Sequence, residues 1–230
     1  MLSLEQGCTP NTAACQLRDS GSYTRANDGK NDPHPHTLTP ALAARLVLFL
    51  SQRTGAITDS TSTWKDLRNR AAIAMQLGAG LAPTDIRSLA IDAIHYLTPP
   101  ATQRIYKVTA PANGNSPARD APVAGWAAGV LQTWLQMRTR LQIPGDRVFP
   151  STLNGDNWSA SQCYRACLSV MVDADIQPGT EGLLALRHTF AVRQLERGKR
   201  PADVAKWMGF QNSKSMQRYA RVINRPIEVA

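Results

Sequence analysis

Between residues 187 and 225 the chain carries Arg187, Arg193, Arg197, Lys199, Arg200, Lys206, Lys214, Arg218, Arg221 and Arg225 against only Glu196 and Asp203. Guanidinium and ammonium groups at that density suit the binding of phosphate oxygens. A run of charge is ordinarily a solvated helix face. Here the bases fall on three short helical segments joined by tight turns, which favours one contiguous surface facing nucleic-acid phosphates.

Other chemistries find less support. His34 and His36 lie in a Pro-His-Pro-His run with no further ligand cluster nearby, so no metal is expected. Cys8 and Cys15 are separated by six residues and Cys163 and Cys167 by three, which fits neither a zinc pattern nor a dense disulfide framework. Reduced thiols are expected, with Cys163 and Cys167 stacked as small buried residues on one helix face. The net charge of +9 and pI near 9.8 imply an anionic partner, nucleic acid or membrane. No stretch approaches the roughly 20 apolar residues of a membrane span, and the N-terminus lacks signal-peptide character. A cytoplasmic protein with no membrane partner is the expectation.

The elements that must position these bases can be read from period and punctuation. Residues 1–36 are rich in Gly, Asn, Asp, Thr and Pro without apolar periodicity, and read as a disordered tail. Thr39-Pro40 is an N-cap followed by proline, opening a helix with Leu42, Leu46, Phe49 and Leu50 on one face. A second helix is predicted over residues 64–77 and a short one from Pro83. Runs at 94–97, 104–109 and 120–123, separated by Pro/Gly/Asn turns, predict a small antiparallel sheet. Helices are then expected over 126–137, 159–172, 183–197, 201–208 and 213–222, the last with a serine cap. The fold class is α+β, mostly helical, with a three-stranded antiparallel sheet.

Leu186-Arg187-His188-Thr189-Phe190-Ala191, then Gly198, Val204, Met208-Gly209-Phe210 and Tyr219, resembles the tyrosine recombinase (phage integrase) series, in which an arginine helix precedes a Leu-Gly-His turn and a nucleophilic tyrosine. Gly80-Leu81-Ala82-Pro83-Thr84-Asp85 followed by Leu89 is similar to the turn carrying that family's first arginine. The likeness runs from about residue 39 to 222 and makes residues 37–230 an integrase-like catalytic domain, with no separate core-binding domain before it. It implies attack of a tyrosine hydroxyl on a DNA phosphate through a 3′-phosphotyrosyl link, with no cofactor. Two arginines and a histidine or tryptophan would hold the non-bridging oxygens, a lysine would protonate the leaving oxygen, and another histidine would assist proton transfer.

Carried over residue by residue, Arg187 matches the second arginine and Tyr219 the nucleophile. The first arginine position is Ala82, the histidine three residues before Arg187 is Leu184, and the histidine of the turn is Phe210. The turn after the second strand, Ala110-Pro111-Ala112-Asn113-Gly114-Asn115, holds no base. Lys107 is the nearest lysine and reads as an exposed strand residue. Adjacent helix residues point about 100° apart, so His188 beside Arg187 reads as a packed or hydrogen-bonded helix histidine. Arg87 is expected on another face of its short helix than Ala82.

The expected function is therefore DNA binding with impaired catalysis, accessory or regulatory in site-specific recombination or integration of a mobile element, with a partner recombinase or self-association on DNA supplying what is missing. Two alternatives stay open: a divergent active recombinase using Tyr219 with Arg187, and a non-DNA interaction protein or decayed mobile-element remnant.

Overall fold

The computed structural model describes residues 35–52, 61–97, 104–114, 116–177 and 182–224. The expected tail lies outside the described residues except for 35 and 36. Helix α1 (Pro40–Ser51) begins as its sequence dictates: the Thr39 hydroxyl accepts from the Leu42 amide at 3.3 Å, and Pro40 occupies the first turn.

Helix α2 (Thr61–Ala79) is the central beam. Ala71, Ala72, Ile73, Ala74 and Met75 are all fully buried. A helix apolar on every side must be covered on every side. The packing bears this out, with α4 (Gly125–Arg140), α5 (Ala160–Asp173) and α6 (Leu184–Glu196) all laid against it. Gly80 ends the beam in the left-handed region at φ 69°, and a Cβ there would lie 2.5 Å from the Phe190 ring. That contact brings the end of α2 onto α6. The chain then turns directly into α3 (Pro83–Ser88).

Strands β1 (Ile94–Leu97), β2 (Arg104–Ala110) and β3 (Arg119–Pro122) form one antiparallel sheet in that order, with a register irregularity at His95/Tyr96. Ile105, Val108, Ala110 and Ala121 enter the core, Lys107, Thr109 and Asp120 alternate outward, and Arg119 is a buried polar residue of β3. Lys107 pairs with Asp120 at 2.6 Å on the exposed face. On α5, Ser159 and Gln162 make a reciprocal cap, and Cys163 and Cys167 are buried free thiols on one face.

A second apolar cluster joins Phe190 and Leu195 of α6 to Val204 and Met208 of α7 (Pro201–Met208), with Met216 and Tyr219 beyond them. The single capped helix expected over 213–222 is not formed. Residues Ser213–Met216 make a 3₁₀ turn capped by the Asn212 side chain, and α8 (Gln217–Ala220) is one further turn. The Asn212 carbonyl oxygen takes the Lys214 amide at 2.8 Å, so asparagine does what serine was expected to do.

Candidate functional site

The centre of the site is a carboxylate. Asp85, on the inner face of α3, is 2% exposed. Its Oδ2 accepts the Ala82 amide at 2.8 Å, pairs with Nη2 of Arg119, and lies 3.6 Å from Nη1 of Arg187. One buried acid thus gathers a guanidinium from β3 and another from α6. Both arginines also use the end of α7: Arg119 Nε donates to the Trp207 carbonyl at 3.0 Å, and Arg187 Nη2 donates to the Met208 carbonyl. Carbonyls at a helix C-terminus carry partial negative charge, which suits cations placed there.

Gly209 makes this approach possible. It caps α7 in the left-handed region at φ 72°, and a Cβ at that position would lie 2.8 Å from Arg119 Nε. Burial is the main cause that holds the Arg187 pKa below its ordinary value. Arg119 pushes in the same direction and Asp85 opposes it. A guanidinium so placed stays charged. The Phe210 ring, 5.7 Å from the Arg187 guanidinium carbon, closes one side.

Tyr219 is fully buried, and its hydroxyl lies 2.8 Å from Nδ1 of His188. With the proton of the imidazole on Nε2, Nδ1 accepts the phenolic proton. His188 is therefore a hydrogen-bonded helix histidine whose partner is Tyr219. Neighbouring residues on α6 point to different partners: Arg187 to Asp85 and His188 to Tyr219.

The predicted basic surface divides. Arg187 does not belong to it, since its side chain is only 10% exposed and neutralised in part inside the cluster. Arg197, Lys199, Arg200, Lys206, Lys214 and Arg221 are exposed, while Arg193 and Arg218 are half-buried. Arg200 is tied to Asp203 by two contacts of 2.7 and 2.9 Å. Arg225 lies outside the described residues. Ala82 caps α3, Leu184 is 46% exposed at the start of α6, and Phe210 packs beside Arg187. Groups of three or more His, Cys, Asp or Glu fit to hold a metal are absent among the described residues, as is any helix long and apolar enough to cross a membrane.

Asp85 and Arg119 were not legible as site residues. An acid in a short helix after a glycine turn and a base opening a strand are both ordinary surface features. Only the tertiary pairing distinguishes them.

A sequence model of the phage integrase family matches residues 51–225. The chain belongs to the phage integrase family. Tyrosine recombinase XerC of Histophilus somni (strain 2336) is 26% identical over 169 residues, which is 72% of this chain and 53% of that relative. The chain thus spans about half the length of the curated relative it matches. Among solved structures, XerA recombinase aligns with a TM-score of 0.64 at 19% identity, over 82% of this chain and 59% of the other. XerH recombinase bound to palindromic difH substrate, in a post-cleavage complex, gives 0.64 at 17%, over 85% and 52%. The Tn1549 transposon integrase in complex with transposon right end DNA gives 0.58 at 17%, over 94% and 76%. These likenesses establish the mostly helical fold with its three-stranded sheet as that of integrase-family catalytic domains. Within that fold, this integrase-family chain puts an alanine where the first arginine is expected, and Arg119 supplies a second guanidinium from β3.

Proposed function

We propose that the chain binds double-stranded DNA in site-specific recombination and that the Arg119–Asp85–Arg187 cluster docks one backbone phosphate. A charge count carries this reading: two guanidiniums share one carboxylate where water scarcely reaches, which leaves a positive charge that no other described carboxylate offsets. Nη1 of Arg119 is buried and has no hydrogen-bond partner among the described residues. An incompletely paired buried cation is costly, and a phosphate oxygen that meets the cluster at Arg187, whose side chain is 10% exposed, offsets the excess charge. The exposed bases of α7 and the segments around it add the salt-dependent, sequence-independent attraction.

Strand cleavage is weak or absent in this reading. Tyr219 is inside the apolar cluster, Leu184 and Phe210 stand where histidines are expected, and the turn between β2 and β3 offers no base to protonate a leaving oxygen. Loss of one preorganised donor typically lowers kcat by about 10²–10³. The protein then occupies a site or supports a partner recombinase. A gel-shift series on duplex DNA at rising salt tests it: a retarded complex that weakens with salt is expected, and no complex even at the lowest salt overturns the reading.

A second reading, residual cleavage, is favoured by the 2.8 Å contact of Tyr219 with His188. A neutral imidazole accepting the phenolic proton is what attack on phosphorus requires: the Tyr219 oxygen–phosphorus bond forms, the bond to the 5′ oxygen breaks, and that oxygen leaves as a hydroxyl by taking a proton from water while the phenolic proton rests on His188.

A further inference from the structure

Helix α3 has two working faces. Asp85 and Ile86 point inward, at 2% and 0% exposure. The other face, with Thr84 and Arg87, lines a cleft of about 560 Å³ whose remaining walls come from the β2–β3 turn through Asn113 and from the loop before α5 through Arg147, Asn157 and Trp158. Two arginines and several neutral hydrogen-bonding groups face this space, and its lining contains no acid.

We infer that this cleft is a second phosphate site, separate from the arginine pair on the opposite face of α3, and that it holds a phosphodiester of the DNA backbone. The inference rests on the proposed binding of DNA. Three observations carry it. Arg87 makes no hydrogen bond and no ion pair among the described residues, although it lies close enough to Cys163 to lower that thiol's pKa, after the larger effect of the Cys167 hydrogen bond. Arg147 is held in place: its Nη1 donates to the Ser88 carbonyl at 2.6 Å, and its side chain remains 36% exposed. Its contact with Asp146 is 3.8 Å to a carboxylate that is 75% exposed, which offsets little of its charge in water.

The back of the cleft is rigid. Trp158 is 3% exposed and lies 4.0 Å from the Arg68 guanidinium carbon, which has Trp64 on it at 5.0 Å. Arg68 itself donates to the Pro150 and Ser151 carbonyls at 2.7 and 3.0 Å. The loop that brings Asn157 to the cleft is thereby fixed to α2. A preorganised wall with a free guanidinium opposite it binds an anion without first reordering the chain. Planar guanidinium forks and amide groups match the oxygens of a phosphate, whether diester or monoester.

The test uses the full chain and a fluorescent duplex, titrated at several salt concentrations, with Arg87→Gln and Asn157→Asp. Neither residue makes a described hydrogen bond, so both variants should keep the wild-type circular dichroism spectrum. The expected result is a fall of about one in the slope of log K against log salt for Arg87→Gln, and weaker binding for Asn157→Asp. Wild-type slopes and affinities in both folded variants overturn the site alone. A wild-type chain that binds no duplex overturns the DNA reading and the site with it. A parallel titration with deoxyadenosine monophosphate separates the sources of phosphate. If Arg87→Gln loses the mononucleotide while its duplex slope is unchanged, the cleft takes a free nucleotide and the backbone assignment is wrong.

Discussion

Arg119 and Asp85, 34 residues apart in sequence, form an ion pair with only 3% and 2% of their side chains exposed. The pair joins β3 to α3, and through Arg187 it joins both to α6. Three elements that share no local contact in sequence thus meet at one carboxylate. The same contacts that hold the second half of the fold together also hold the two guanidiniums side by side.

Removal of the acid tests the structural half of that statement. Asp85→Asn leaves two buried guanidiniums facing a neutral amide and also weakens the cap on α3. Breaking a buried ion pair by deleting one partner typically costs about 3–5 kcal/mol. Urea unfolding should show a loss of that size. A loss under about 1 kcal/mol, the range of exposed pairs, would mean that the cluster is solvated.

Gly209→Ala addresses the same site from the backbone. The left-handed conformation disfavours a side chain by about 1–2 kcal/mol, and the added Cβ would lie 2.8 Å from Arg119 Nε. Lower stability together with weaker DNA binding is expected, because Arg119 must shift. A variant that loses stability yet binds DNA as the wild type does would separate Arg119 from the phosphate.

Charge reversal of Arg197 and Lys214 to Glu concerns the exposed bases. Both are solvent-exposed, so stability should change by less than about 0.5 kcal/mol. Duplex affinity should fall and its salt dependence should flatten. Binding insensitive to these changes would place the DNA elsewhere.

The tyrosine has its own test. A nicked suicide duplex traps any 3′-phosphotyrosyl intermediate as a covalent adduct. Little or no adduct is expected from the wild type. Abundant adduct that Tyr219→Phe abolishes would establish the cleaving alternative, with His188 taking the proton.

Much of the fold was legible because it depends on local signals. Thr39-Pro40 and Gly209 mark helix ends through chemistry confined to a few residues, and the strands follow from short runs between Pro/Gly/Asn turns. The C-terminal segment was less legible. Ser213 looked like a cap, but the Asn212 side chain reaches the Lys214 amide first and the chain tightens into a 3₁₀ turn. Arg187, whose side chain is only 10% exposed, was grouped with the surface bases, since nothing in its neighbours announces that Asp85, about a hundred positions earlier, will lie beside it. His188 was read as packed or hydrogen-bonded with no partner named, because the fold of the chain between positions 31 apart decides that the partner is Tyr219.

A phosphate docked at the buried arginine pair must show in the salt dependence of DNA binding. Fluorescence anisotropy of a labelled duplex over a salt series, comparing the wild type with Arg187→Gln, tests it most directly. The predicted result is measurable wild-type binding, with a variant that folds, binds more weakly, and shows a slope of log K against log salt reduced by about one. Equal slopes and equal affinities in two folded proteins would contradict it.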